Sequence, residues 1–404
     1  MIQKNILKNM RKNRLLLLLL AMLVVCPQAS FAQEESKLKR AWEKLQVRLD
    51  SATIRKFDAD YIEVPKRPWR IVLRGKTDDF RMDVNSYFDE DFVSKKIGEA
   101  VKGGRFDWTL KFNPPIAQSV GFHAGFRGLS FSYSYYLRKK TGRAFSFSST
   151  GARYGLNFRL RRFSTHSMEI DASIKDYDGV EDKVDGPANA PDPIWVRSVI
   201  IDGYYLFNGR RFSQAAAYNQ SVIQRRSAGS LMLGAMYHQS SLDLATDKNA
   251  PLVMLNGDWG RVSIRQFNIG VGYGYNWVPA RGWLLNIMLM PTVSTYNRIK
   301  TFYYDCNYSL FADEETPDGK KPLIIEEEDG EDVFPDDMKI WETNAQTDFS
   351  KVQLNADVRA SITYNWNRFF MNIFGQVNNF DYGSSRTNVK LTDWYVRGSL
   401  GVRF

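Results

Sequence analysis

The sequence predicts an antiparallel transmembrane β-barrel of 12 strands, with 14 as the alternative count. Three observations carry that prediction. From Arg105 onward, apolar residues alternate with polar residues or glycine, the period-2 signature of strands with two unlike faces. The amino-terminal segment reads as an export signal. The connections are short on one side and long on the other, the pattern of barrels that cross a membrane.

Composition agrees. The 404 residues include 26 Phe, 20 Tyr and 10 Trp, enough for aromatic girdles. Mean hydropathy is negative, and only one apolar run approaches the length of a spanning helix, which excludes a helical membrane protein. Barrel strands dilute their apolar residues with lumen positions. That one run belongs to the signal peptide, residues 1–32. Lys4, Lys8, Arg11, Lys12 and Arg14 precede an apolar stretch from Leu15 to Val25, and Ser30-Phe31-Ala32 offers small residues where a signal peptidase reads. A lipoprotein signal at Cys26 is disfavoured by Val25 before it. Cleavage after Ala32 removes five cations and no acid, so the net charge falls from +10 to +5. Nucleic-acid binding then loses most of its support. Cys306 is left as the sole cysteine, so neither an internal disulfide nor a thiolate metal cluster is expected.

Residues 33–68 form an N-terminal periplasmic segment. Leu38, Ala41, Trp42, Leu45 and Leu49 recur at helical spacing among charged residues. An amphipathic helix packed on the barrel base is preferred there to a plug or an interfacial helix. A linker through Pro65 and Pro68 leads to the barrel, residues 69–404. Short strand-like pieces near Trp69 and Phe80 raise the count to 14 if they cross. Strands are then expected around 106–112, broken by Pro114-Pro115, and at 120–126, 129–137, 154–160, 168–174, 199–207, 231–237, 267–277, 283–289, 352–366, 371–377 and 394–404. Val352 to Trp366 keeps one face apolar for about 50 Å at the strand rise, long for a soluble sandwich. Short turns are expected at 126–128, 161–165, 278–282 and 365–368. Long outer loops are expected at 140–150, 177–193, 244–260, 299–349 and 381–389, the acidic one centred on 302–348. One connection breaks the pattern: Asn208 to Arg226 is long, basic and on the short-turn side, and either folds under the barrel or enters its lumen.

The last strand has Trp394, Val396, Leu400, Val402 and Phe404 on one face. It resembles the carboxy-terminal assembly signal of Gram-negative outer-membrane barrels, which implies handling by the barrel-assembly machinery. More broadly, the stretches from Trp108 to Leu137, Ser227-Ala228-Gly229-Ser230 and Phe267 to Thr295 resemble an uncharacterised family of such barrels, a domain of unknown function. The resemblance implies the fold and an outer-membrane location, in contact with lipid and lipopolysaccharide. It supplies no activity.

Few residues suggest chemistry. His238-Gln239-Ser240 is a histidine-x-serine arrangement of the kind outer-membrane lipid hydrolases use, with His as base and Ser as nucleophile. Here the alternation turns both residues to the lumen, away from lipid. The inferred lumen carries both signs: Lys111, Arg153, Arg159, Glu169, Asp171, Lys175, Asp202, Asp357, Arg359, Arg397 and Arg403. Charges inside a wall are either wet, as in a channel, or paired, as in a closed lumen. Glu326, Glu327, Glu328, Asp329, Glu331 and Asp332 are weak candidates for a divalent cation, without a calcium-loop motif; a solvated loop is the plainer reading. No cofactor is expected. The first functional expectation is a passive channel or small-solute transporter. The alternative is a non-conducting structural or surface-interaction barrel. A lipid hydrolase using His238 and Ser240 ranks third.

Overall fold

The computed structural model describes residues 43–44, 47, 56–88, 106–138, 141–175, 181–255, 258–309, 320–322, 326–328, 331–333, 335–349, 352–383 and 387–404. The chain divides into two units, Met1–Ser51 and Ala52–Phe404. In the first unit, Glu43, Lys44 and Val47 are helical and exposed. The rest of the expected helix and the signal peptide lie outside the described residues.

The second unit is a barrel. A short strand β1 (Ile62–Glu63) precedes β2 (Trp69–Phe88), β3 (Phe106–Asn113), β4 (Ala117–Phe126), β5 (Leu129–Arg138), β6 (Thr141–Thr150), β7 (Tyr154–Lys175) and β8 (Glu181–Leu206). A helix α1 (Gln214–Tyr218) and a short strand β9 (Ile223–Gln224) lead to β10 (Ala228–Asp243). A second helix, α2 (Ala250–Leu255), is followed by β11 (Trp259–Trp277) and β12 (Trp283–Cys306). Four fragments follow in the acidic region: β13 (Tyr308–Ser309), β14 (Lys321–Pro322), β15 (Glu326–Glu328) and β16 (Glu331–Val333). The chain ends with β17 (Ile340–Phe349), β18 (Leu354–Trp366), β19 (Phe369–Gly383) and β20 (Thr387–Arg403).

Twelve antiparallel strands close the ring, in the order β2, β4, β5, β6, β7, β8, β10, β11, β12, β18, β19 and β20. The seam joins β2 to β20, from Arg70 opposite Arg403 to Ser86 opposite Thr387. The expected count of 12 is met, with a different allotment of residues. Residues 69–88 cross as one strand. β3 and β4 form one descending stave along β2, interrupted at Pro114-Pro115, so residues 106–113 add no crossing of their own. The expected outer loop 140–150 contains β6, where Phe145 and Phe147 alternate with Ser146 and Ser148 between β5 and β7. The expected turn 161–165 lies inside the continuous strand β7. The adjacent arginines there go to opposite faces: Arg161 points inward, and Arg162 stacks outside on Trp195 at 4.4 Å. β8 begins well inside the expected loop 177–193. Pro191 and Pro193 fall where β8 pairs with neither neighbour, so their missing donors cost no ladder bond. The loop expected from 299 to 349 is shortened at both ends, because β12 pairs with β17 from Arg298 to Cys306.

At the short-turn end, here the base, Arg127 and Asn367 take positive φ of 51° and 52°. Gly128 is required by close approach: a Cβ there would sit 1.9 Å from the Thr150 carbonyl oxygen. The outward face is apolar. Trp69, Tyr154, Tyr205, Phe207, Trp277, Trp283, Trp366 and Phe369 ring the base with exposed aromatic side chains, a girdle at the level where a bilayer interface sits. On β12 the exposed Trp283 and Tyr296 are separated by about 43 Å of strand, roughly 30 Å across a bilayer at barrel tilt. Trp394, Val396, Leu400, Val402 and Phe404 belong to this outward face. At the opposite end, the rim, the wall narrows: above the β5–β6 hairpin, β3 alone bridges β2 to β7.

Candidate functional site

The inward faces of the strands define the site, and they form three layers. At the base, the connection 208–226 enters the lumen. Ser213 caps α1 by accepting from the Ala216 amide, and Ala215, Ala216 and Ala217 pack with Ile62, Val222 and Leu284. A five-residue helix leaves its final carbonyls unpaired, and side chains of the wall supply the donors. Asn372 donates to the Ala217 carbonyl at 3.1 Å. Arg397 donates to the Tyr218 carbonyl at 2.9 Å. Arg403 donates to the Gln220 carbonyl at 3.1 Å. Asn219 reaches Thr150 at 3.1 Å, and Tyr218 meets Phe374 edge-on at 4.9 Å between ring centres. Gln224 holds the other limb, donating to the Arg211 and Arg226 carbonyls and accepting from Asn276. β9 pairs with β1 beside it. Of the two expected courses for this segment, it takes the one into the lumen.

In the middle layer, charges pair. Asp202 meets Arg159 at 3.3 Å and Arg359 at 3.4 Å, and accepts from Asn157. Asp357 accepts two bonds from the Arg359 Nε, at 3.1 and 3.0 Å, and one from Gln376. A second group joins Arg161 to Asp78 at 3.2 Å and to Asp393 at 3.0 Å, with the Tyr136 hydroxyl donating to Asp78. Removing either partner of such a pair strands a buried charge, at a cost of about 3–5 kcal/mol. Arg159, Asp357, Arg359, Arg397 and Arg403 all lie in the lumen. Arg153 does not: it is exposed beside the turn that starts β7, reaching the outward Tyr205 hydroxyl, because the alternation has not begun there. Glu169, Asp171 and Lys175 fall on the outer part of β7, and their side chains lie outside the described residues.

The rim layer is apolar. Phe80, Phe163, Ile200, Met236, Ile264, Ile299, Phe380 and Leu391 belong to one buried cluster, which draws side chains from ten of the twelve ring strands. His238 is buried in the same layer, stacked on Phe380 at 4.2 Å and bonded through Nδ1 to the Tyr382 hydroxyl at 2.8 Å. Ser240 donates to the Arg197 carbonyl at 3.2 Å. The two side chains point the same way from one strand but serve different partners, so no nucleophile–base bond links them.

Between base and middle layers lies a cavity of about 90 Å³, lined by Arg74, His123, Ser146, Ser148, Arg397 and others. Arg74 and His123 are marked as inward in the sequence only by the alternation of β2 and β4. In the acidic region β15 and β16 pair as a small hairpin. The side chains of Glu326, Glu327, Glu328, Glu331 and Asp332, and all of Asp329, lie outside the described residues. No cluster of three or more metal-binding side chains occurs among the described residues.

An aromatic-girdled, membrane-spanning β-barrel with a short helix and paired charges inside it is the class this geometry defines. The chain belongs to the family described as Domain of unknown function (DUF4421), which matches residues 93–404. No curated protein gives a significant match. Among solved structures, the outer membrane protease OmpT from Escherichia coli aligns at 10% identity over 85% of this chain and 98% of its own, with a TM-score of 0.34. The translocator domain of the autotransporter NalP from Neisseria meningitidis aligns at 10% identity over 91% of this chain and 98% of its own, with a TM-score of 0.28. The outer membrane protein OprG from Pseudomonas aeruginosa aligns at 10% identity over 86% and 99%, with a TM-score of 0.24.

Proposed function

We propose that the protein is exported by its signal peptide to the outer membrane and works there as a non-conducting barrel, through binding at its lumen or outer surface. This reading sets aside the open channel that the lumen charges first suggested. The observation that carries it is the rim cluster, to which ten strands contribute buried side chains and beside which His238 of β10 stacks on Phe380 of β19, strands that are not neighbours in the ring. A buried apolar layer of this kind opposes the passage of water and ions. The paired charges and the 208–226 segment inside the lumen below it support the same reading.

Planar-bilayer recording of the refolded mature chain tests this, with folding verified by heat-dependent gel mobility. The wild type is expected to be silent. A variant with residues 213–222 replaced by a Gly-Ser linker is expected to be silent too, because the rim layer remains. Steady, ion-selective openings of the wild type would overturn the proposal.

A further inference from the structure

We propose that the cavity above α1 is a binding site for a small tetrahedral oxyanion of the phosphate class, held by Arg74, Arg397 and His123. The argument begins with charge. Arg70, Arg74 and Arg403 are 2–5% exposed, and Arg397 lies beside them on β20. None of the four forms an ion pair among the described residues, whereas Arg159, Arg161 and Arg359 in the layer above all do. A guanidinium does not deprotonate to escape burial, so these four leave an excess of positive charge in the base half of the lumen.

Arg70 and Arg403 are partly satisfied by oxygen atoms of the protein: the Arg127 carbonyl for one, the Gln220 carbonyl and Asn365 for the other. Arg74 forms no hydrogen bond or ion pair among the described residues, and its Nε is buried without a partner. It stands opposite Ser399 across the seam, with Arg397 two residues along on the same inward face. Two guanidinium groups at neighbouring inward positions repel unless an anion lies between them. His123, on the next strand, is 3% exposed and both its ring nitrogens lack partners. All three side chains line the cavity. Ser130, Ser146 and Ser148 from β5 and β6 add hydroxyl groups to the lining, and Ser130 bonds Ser148 at 2.6 Å; the one carboxylate in the lining, Asp202, is already paired with Arg159 and Arg359. The space of about 90 Å³ has room for one phosphate or sulfate, and a second space of the same size shares Arg74 and Arg397 with it. Guanidinium forks and hydroxyl donors are the groups that recognise such oxyanions. Arg397 also donates to the Tyr218 carbonyl, so the occupant shares a ligand with the segment that closes the base. The inference does not depend on whether the barrel conducts.

The test is thermal unfolding of the full mature protein, refolded in detergent with and without inorganic phosphate so that entry is not limiting. Sulfate and glycerol 3-phosphate serve as further probes. The midpoint of the wild type is expected to rise saturably with phosphate or sulfate, and less with glycerol 3-phosphate. Arg74→Met removes an unpaired buried charge without touching the plug. It is expected to be at least as stable as wild type without anion, and to bind phosphate at least tenfold more weakly. A purely structural arginine would instead destabilise the protein when removed and leave the phosphate response intact. His123→Phe, which keeps the ring volume, is expected to weaken phosphate severalfold. A wild-type midpoint indifferent to phosphate and sulfate would overturn the proposal, as would an undiminished response in Arg74→Met.

Discussion

The rim and base halves of the lumen are closed by opposite means. Near the rim, strands from around the ring send Phe, Met, Ile and Leu inward into one buried cluster. This is a soluble-protein core built inside a membrane barrel, held by the hydrophobic effect and close packing. At the base, the inward side chains are Arg, Asn, Gln and Ser, and the filler is a backbone segment whose carbonyls they bond. Apolar filling is stable by itself. Polar filling is stable only if each donor finds an acceptor, and at Arg74 and His123 it does not. The rim half is thus built for stability, while the base half keeps donors without acceptors.

The largest expected effect is at the rim. Phe163 is fully buried and lies edge-on to Phe80 at 6.4 Å and to Tyr136 at 5.8 Å. Phe163→Ala is expected to cost about 3–5 kcal/mol, read as a lower urea midpoint in lipid vesicles. A loss under about 1 kcal/mol would mean that the rim is not a packed core, and the contrast with the base would fail.

A smaller effect is expected at the base. Asn372 joins the wall to α1 through Ala217 and also bonds Thr363 at 2.9 Å. Asn372→Ala is expected to cost about 1–2 kcal/mol and to speed hydrogen exchange across 213–222 more than in the rim strands. Equal acceleration in both halves would show that they unfold as one unit and are not separately held.

The smallest effect lies outside the lumen, where pairing is wet. In the outer region Lys321 and the Tyr308 hydroxyl both bond Asp337. The Lys321 bond, followed by that from Tyr308, holds the Asp337 carboxyl below its ordinary 3.8. The same contacts raise Lys321 and Tyr308. A depressed carboxylate stabilises at pH above its unfolded value and loses that contribution as pH falls through its folded value. The raised groups lose theirs only as pH climbs through alkaline values. Protection of amides near 308 and 321 is therefore expected to hold at neutral pH and to fall below about pH 4, and Asp337→Asn is expected to remove the acid dependence. Exposed pairs contribute little, so global stability is expected to stay unchanged.

The alternation of unlike residues let the sequence determine the barrel, its outward face and most of its base turns; the number of crossings agreed because two uncounted strands, β2 and β6, offset the separate counting of 106–113 and of the outer part of β7. Period 2 is a local property, and a strand keeps its two faces whatever its neighbours. Even so, Ser-rich β6 read as a loop and the Arg161-Arg162 step in β7 read as a turn, because only flanking strands reveal that such residues pair. What fills the lumen was not legible. Arg161 finds Asp393 232 residues away, and Arg159 finds Gln376 217 residues away. Whether a lumen charge is wet or paired depends on which strands the closed ring sets face to face. The same holds for the connection 208–226, whose carbonyls are bonded by side chains from β19 and β20, more than 150 residues further along the chain. Closure of the ring decided those contacts, since it brings distant inward faces within hydrogen-bonding distance in a space that excludes water.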